Sequence, residues 1–449
     1  MTPLEINSAG RCRTTVIGIL GGGLSALALA SRLRDAEVLE AEATPGGLCR
    51  SATFEGFTFD PHGSHILYSR DPKAMAFYED LLKDNLCRRR RNTKVFYKGR
   101  YVKYPFENGL SDLPIEDNLA CLLGFIEAYA ARRAGTSPKP TNFKEWMYDR
   151  FGKGITEAYL LPYNEKIWKT PAETMGTEWV DGRVPDPPLE DVLKASLGIA
   201  TEGYTHQLHF LYPRVGGVEC LISGLLPKVP RVRTGFRVTS VRRRGERWLV
   251  GDGRETREYD DLVSTIPIPD LVGALHDAPD DVRAAGAALQ HRSLVTVMVG
   301  IGRPNVNEFS WVYFPRPEDG RFNRISFPSN FSDRVAPEGT SSAVAEITCV
   351  AGDDVWTAPD EELVEHVVER AHALGVFRRQ DVVLAKVART RYAYVVYDRG
   401  HARNLALVNA YAEKADLRLL GRFGQFDYIN TDQCILRGIA LASKLGGAS

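Results

Sequence analysis

Three consecutive glycines behind a short apolar run supply the first recognisable chemistry. Thr14 to Leu20 reads as a buried strand, Gly21-Gly22-Gly23 as a tight turn, and Leu24-Ser25 as the start of a helix that runs to Ala30. Such a unit cradles a pyrophosphate: Gly21 permits the turn, Gly23 lets the backbone approach the phosphates, and small Ala26 allows the helix to pack on the strand. The first N–H groups of the helix and the positive end of its dipole then face the anion. About 20 residues on, where this fingerprint expects an acid, the strand Ala36 to Leu39 ends at Glu40, which can accept from both hydroxyls of a ribose. The turn Ala43 to Arg50 brings Gly46, Gly47 and Leu48 back toward the cradle. The loop Pro61 to Tyr68 then carries His62, Gly63, Ser64 and His65 on irregular backbone close to the same site. Two imidazoles there point to a functional role, since histidine changes charge near neutral pH.

The remaining elements must hold these residues in place. Phe54 to Asp60 alternates like a strand with a turn inside it, and Thr93 to Val102 looks like a hairpin around Lys98-Gly99. Helical periodicity fills residues 111–176, strongest over Leu119 to Ala131 and Phe143 to Trp168, and marks an inserted helical region. Asp181 to Pro188 is a proline-broken crossing, and a helix is expected from Glu219 to Leu226. Arg237 to Val250 and Tyr259 to Thr265 alternate like strands. Leu294 to Ile301, Trp311 to Phe314, Arg324 to Phe327 and Ala343 to Val350 add four more candidates and suggest an antiparallel sheet. After a helix from Glu361 to Leu374, Leu417 to Leu420 leads into Gly421-Arg422 and a last helix from Asp432 to Leu445. This strand, glycine and helix mirror the N-terminal cradle, so one nucleotide domain is assembled from distant segments.

Composition narrows the class. The 449 residues are 44% hydrophobic, enough for two or three domains. Lysine plus arginine balances aspartate plus glutamate at 57 each, so no global field favours nucleic acid or an anionic membrane. The cluster Arg88 to Arg91 reads as a solvated loop or strand end. Seven scattered cysteines without metal-ligand spacing suit a reduced, cytoplasmic compartment and no metal site. The first ten residues lack an apolar segment, so no secretory signal is expected. The most apolar helical stretch, Leu119 to Ala131, is too short for a bilayer crossing.

The cradle, the Pro45-Gly46-Gly47 turn, the Gly63-Ser64-His65-Ile66 loop, the Ser264-Thr265-Ile266-Pro267 strand end and the Gly421-Arg422 unit occur in the order of FAD-dependent enzymes of the amine oxidase and protoporphyrinogen oxidase type. Two stretches narrow the resemblance. Tyr163 to Trp168 followed by Pro171, and Gly421 to Gln433, resemble the corresponding stretches of UDP-galactopyranose mutases. The resemblance implies an α/β chain. A Rossmann-like FAD-binding domain would be built from residues 14–70, 212–270 and 417–449, with a helical insertion and substrate loop in 107–200. An antiparallel sheet substrate-binding domain would comprise 71–106 and 290–400. It also implies reduced FAD, whose N5 attacks the sugar of a UDP-galactose-like substrate so that pyranose and furanose rings exchange through a flavin–sugar adduct. A separate flavin reductant is then required, and a homo-oligomer is compatible with the reading. The alternative is an FAD-dependent oxidase.

Carried over residue by residue, the resemblance places His65 beside the flavin and Trp168 on a mobile loop at the nucleotide. Arg183 becomes a diphosphate-binding arginine, a role that suits a planar guanidinium able to grip two phosphate oxygens. Arg324 is the candidate for the second such arginine, while Tyr394 and Tyr428 correspond to tyrosines at the phosphates. Val238 offers a backbone contact to the adenine. Arg422, Tyr428, Ile429 and Asn430 belong to the cofactor's other end. Asn430 stands where the family commonly has an aspartate, so any charge it carried is lost or moved to Asp427 or Asp432.

Overall fold

The structure, a computed structural model, describes residues 16–180, 184–201 and 208–447. Ile17–Leu20 is buried at every position and sits at the centre of a parallel sheet. Ala36–Leu39 and then Arg231–Arg233 flank it on one side, Asp261–Ser264 and then Leu417–Leu419 on the other. The two segments that supply the sheet's later strands lie hundreds of residues downstream, which is the assembly from distant segments that the terminal glycine unit implies. Helix Leu24–Ala30, buried on all sides, packs against the last helix, Thr431–Lys444. Their backbones come close because Gly438 has no side chain: a Cβ there would press on the Ser25 carbonyl and Ala28.

A second sheet has seven strands in the order Val382–Val395, His291–Ile301, Ser341–Cys349, Arg324–Ser326, Trp311–Tyr313, Thr93–Tyr97 and Arg100–Lys103. It is antiparallel except at one junction, where Trp311–Tyr313 runs parallel to Thr93–Tyr97. Those two strands are joined by a long connection and not by a hairpin, so turn geometry does not force them antiparallel. The strand Ser341–Cys349 is buried throughout and carries one charged residue, Glu346.

Two long strand expectations break up. Arg237 to Val250 folds back at Gly245 into Ser240–Arg244 and Arg247–Gly251, which form a small antiparallel sheet with Thr256–Tyr259. Tyr259 to Thr265 divides at Asp260, whose carboxylate accepts from the Val16 N–H as the chain passes from that small sheet to the parallel one. In the helical region, Ile115–Arg133 packs on Phe143–Ile155. The expected continuous helix to Trp168 is interrupted at Gly152 (φ 70°), where any Cβ would collide with the Gly124 carbonyl; a π turn, Thr156–Leu160, and a separate helix, Leu161–Trp168, follow. Among the described residues no helix is long and apolar enough to cross a membrane, and the six described cysteines are free.

Candidate active site

A cavity of about 910 Å³ runs from the parallel sheet to the larger sheet. At one end Glu40, 8% exposed, accepts from the Gly22 N–H (2.7 Å) and the Glu42 N–H (2.8 Å). Its carboxylate oxygens keep free lone pairs for further donors. Val238 lines the same end, two residues beyond Phe236, whose N–H bonds to the Glu40 carbonyl. Next come Gly21, Gly23, Leu24 and Ser25 on one wall and Gly46, Gly47 and Leu48 on the other, joined by the Gly46 N–H to Gly22 carbonyl bond. Gly23 has ordinary backbone angles, and a Cβ built on it would meet no protein atom. Its lack of a side chain therefore leaves space in the cavity and relieves no strain in the fold. Gly421 meets the same wall, so close to Ser25 that a Cβ would touch the Ser25 hydroxyl.

The other end is made by side chains. Arg324 donates through Nε (3.0 Å) and Nη2 (2.6 Å) to one oxygen of Glu346, which is fully buried. The same oxygen accepts from the Ser64 N–H at 3.2 Å, and the other from the Tyr394 hydroxyl at 3.4 Å. Burial is the largest single influence and would lower the pKa of Arg324, but Glu346, Tyr394 and Tyr313 together outweigh it, and the guanidinium is held charged well above its ordinary range. Gly63 turns the chain at φ 98° beside Glu346 and sets Ser64 and His65 against this pair. Burial, reinforced by Arg422 and Arg324, lowers His65 to about 3, so its imidazole is neutral at physiological pH. His62, bonded through Nδ1 to Thr390 (2.7 Å), is lowered to about 4, chiefly by burial. Arg422 lies over the Tyr428 ring, 4.2 Å from its centroid. Ile429 and Asn430 complete the wall at the start of the last helix.

Residues 22–410 match the family described as flavin containing amine oxidoreductase. The chain belongs to the flavin-containing amine oxidoreductase family. Its fold superposes on a crystal structure of reduced UDP-galactopyranose mutase with a TM-score of 0.87 at 25% identity, over 96% of this chain and 95% of that one. A putative protoporphyrinogen oxidase from Exiguobacterium sp. 255-15 gives a TM-score of 0.75 at 18% identity (96% and 99% covered). A redesigned putrescine oxidase gives 0.68 at 16% (96% and 98%). The last two show the shared fold.

A flavin-containing amine oxidoreductase carries a flavin, and the residues present fit one. The cradle has the opening at Gly23, and several buried polar atoms of residues on the cavity wall, Ser64 Oγ and Arg422 Nε among them, have no protein partner. Both are groups a polar ring system can satisfy. When bound, the flavin would supply the electron-transfer chemistry of this family. The residues around it orient it, exclude water and set charge.

Not every expected residue reaches the cavity of this flavin-containing amine oxidoreductase. Trp168 is a correction: it ends a helix, is 4% exposed, donates its indole N–H to Asn164 (3.1 Å) and meets Trp179, Tyr394 and Tyr428 edge-on. It backs the wall that Tyr394 and Tyr428 form and is not on an open loop. Arg183 lies outside the described residues. Asp427 is bound by Arg437 and Tyr397, and Asp432 by Ser69, and neither lines the cavity, so neither takes over a charge at Asn430. In the Arg88 to Arg91 cluster the strand-end reading holds for the first three residues, and only Arg91 is a correction. The first residues of the cluster belong to the strand Leu86–Arg90, but Arg91 turns into the cavity and lies 5.2 Å from the Tyr104 ring centroid. Glu346 was invisible as a site residue from the sequence; the one available signal is a lone acid inside an otherwise uncharged strand.

Proposed function

We propose that this flavoprotein binds FAD and acts, with the flavin reduced, as a mutase that exchanges pyranose and furanose rings of a UDP-galactose-like nucleotide sugar. The observation that carries the reading is Arg324. A guanidinium kept charged at the far end of the cavity, with Arg422 and Arg91 on the same walls, suits a diphosphate; a substrate pocket for an amine or porphyrin would be apolar. Arg183 is the proposed second diphosphate contact. Tyr394 and Tyr428 are proposed to meet the phosphates, and Asn430 the flavin edge. Neutral His65 adds no charge beside the flavin and can hold or release one proton on either ring nitrogen. The similarity to UDP-galactopyranose mutase supports the same reading. A reductant for the flavin is required as a partner.

The second reading, an oxidase that passes substrate electrons to oxygen, draws on the family match. The two separate on the flavin's redox state. The released cofactor should have the mass of FAD. Isomerised sugar should form from a nucleotide-sugar panel only after dithionite reduction under anaerobic conditions, and Arg183→Ala should weaken nucleoside diphosphate binding by about ten- to a hundredfold, equivalent to roughly 1.5–3 kcal/mol. Oxygen uptake with an amine substrate, and no isomer from any nucleotide sugar, would sink the mutase reading.

A further inference from the structure

One corner of the large sheet leaves a group of hydrogen-bond donors unused. Trp311 is paired in register with Thr93 on one side and Ser326 on the other, so the three side chains share a face. Trp311, Thr93 and Ser326 keep only 6%, 5% and 0% of their surface, yet Trp311 Nε1, Thr93 Oγ1 and Ser326 Oγ have no hydrogen-bond partner among the described residues. Buried polar atoms are rarely left unpaired, and an indole N–H can only donate. Trp311 lines the cavity, with its ring packed against Phe210 and Phe331. Arg91, half-buried and two residues before Thr93, lines the same corner. Its guanidinium lies over Tyr104, whose ring is 5.3 Å from that of Tyr313, two residues along from Trp311 on the same face.

The neighbours of this corner say which part of a substrate would reach it, on the mutase reading above, on which the inference rests. Arg324, the proposed diphosphate contact, is two residues from Ser326 on the same strand and face. On the other side Trp311 packs with Ile66 and Tyr68, which continue the loop of His65. A sugar that joins a diphosphate at Arg324 to a flavin beside His65 would therefore turn its substituents into the corner. The lining favours an acceptor there. Among the described residues that line the cavity the acids are Glu40 and Asp270, both beside the parallel sheet, and Asp270 already accepts from the Tyr392 hydroxyl. Arg91 and the Trp311 indole offer donors only, which suits a carboxylate with its two acceptor oxygens better than a hydroxyl that must also donate.

We propose that the sugar carries a carboxylate, as in a nucleotide-linked uronic acid, and that Arg91 and the Trp311 N–H bind it, which makes Arg91 a specificity-determining residue. Ring exchange replaces the C5 oxygen by the C4 oxygen in the ring. A carboxylate at C6 passes through unchanged, and no reductant is needed beyond the one that reduces the flavin.

The test is calorimetric titration of the flavin-loaded protein with UDP, UDP-galactose and UDP-galacturonate, followed by product analysis after anaerobic dithionite reduction. UDP-galacturonate should bind about tenfold more tightly than UDP-galactose or better, the size of a charge-assisted hydrogen bond, and should isomerise faster. Arg91→Gln should bring the two sugars to nearly equal affinity, and Arg91→Lys should keep part of the preference. Trp311→Phe, which keeps the ring packing and removes the donor, should lower it. If UDP-galactose binds as well as UDP-galacturonate and gives isomer, the inference is overturned and the mutase reading stands. Failure of all three nucleotides to bind would overturn both. A preference for the uronate that survives Arg91→Gln would remove Arg91 from the assignment and overturn the proposal as well.

Discussion

The two ends of the cavity are built by different means. The cradle end is made of backbone: Gly21, Gly23, Gly46 and Gly47 from two nearby turns, with Glu40 as its principal charged side chain. These glycines and Glu40 lie within about thirty residues of one another, and each follows from turn and strand chemistry that is local in the chain. The far end is made of side chains: Arg324, Glu346, Tyr394, His65 and Arg422 come from five separated segments. Arg324, Glu346 and Tyr394 hold one another by charge and hydrogen bonds in a buried place. A backbone site tolerates substitution of its neighbours but not of its glycines, whereas a buried ionic site fails when either partner is removed.

The sharpest break of that contrast is Glu346→Gln. Losing this carboxylate leaves Arg324 buried without its counter-charge, which costs about 3 kcal/mol; the low end of the usual range applies because the Arg324 side chain keeps 20% exposure. Chemical denaturation should show the loss in the protein with or without flavin. Equal stability of wild type and variant would mean that the pair does not hold the far end together.

The cradle should respond the other way. Because a Cβ at Gly23 meets nothing in the protein, Gly23→Val should leave folding nearly unchanged and obstruct the approach of the cofactor phosphates. Flavin affinity should fall by on the order of a hundredfold, about 2.7 kcal/mol, while the far-ultraviolet spectrum stays the same. A variant that unfolds, or one that still purifies yellow, would break the distinction between space left for ligand and space needed by the fold.

The smallest effect sharpens the account of the far end through pH. His65 and His62 are lowered to about 3 and 4 in the folded protein, so the stability tied to their neutral forms is present above the unfolded value near 6.5 and is lost on acidification. Asp60, raised to about 6 by burial against its bonds from Ser51, Val218 and Tyr212, has the opposite sign: its protonated form is favoured in the fold. Between pH 4 and 6 the unfolded chain holds both histidine protons and the folded chain holds the aspartate proton. The three together should lower stability by roughly one proton's worth, about 1.4 kcal/mol per pH unit, as the pH falls. His62→Gln should flatten that slope. A pH-independent midpoint in the wild type, or an unchanged slope in the variant, would show that the histidines are not held neutral.

The same division separates what could be read along the chain from what could not. The strand Ile17–Leu20, the glycine turn, the acid at Glu40 and the closing glycine–helix unit are legible because each depends on residues a few positions apart, through φ, helix capping and alternation. The helical insertion was legible in extent but not in its break at Gly152, which is imposed by a second helix at Gly124. The strand end at Gly245 was missed because alternation continues across a hairpin turn inside one sheet, and that at Asp260 because it continues across a bend that changes sheets.

By itself, then, the sequence determined a strand–glycine–helix turn, an acid at the end of the next strand, a histidine loop and an α/β chain with a helical insertion, all through short-range geometry. Only the tertiary structure decided that Glu346 pairs with Arg324 and keeps it ionised, that Arg91 turns inward while Arg88 stays out, and that Trp168 supports the wall from behind. Those outcomes depend on which strands become neighbours and what burial does to a charge, and neither quantity is written in the spacing of residues along one segment.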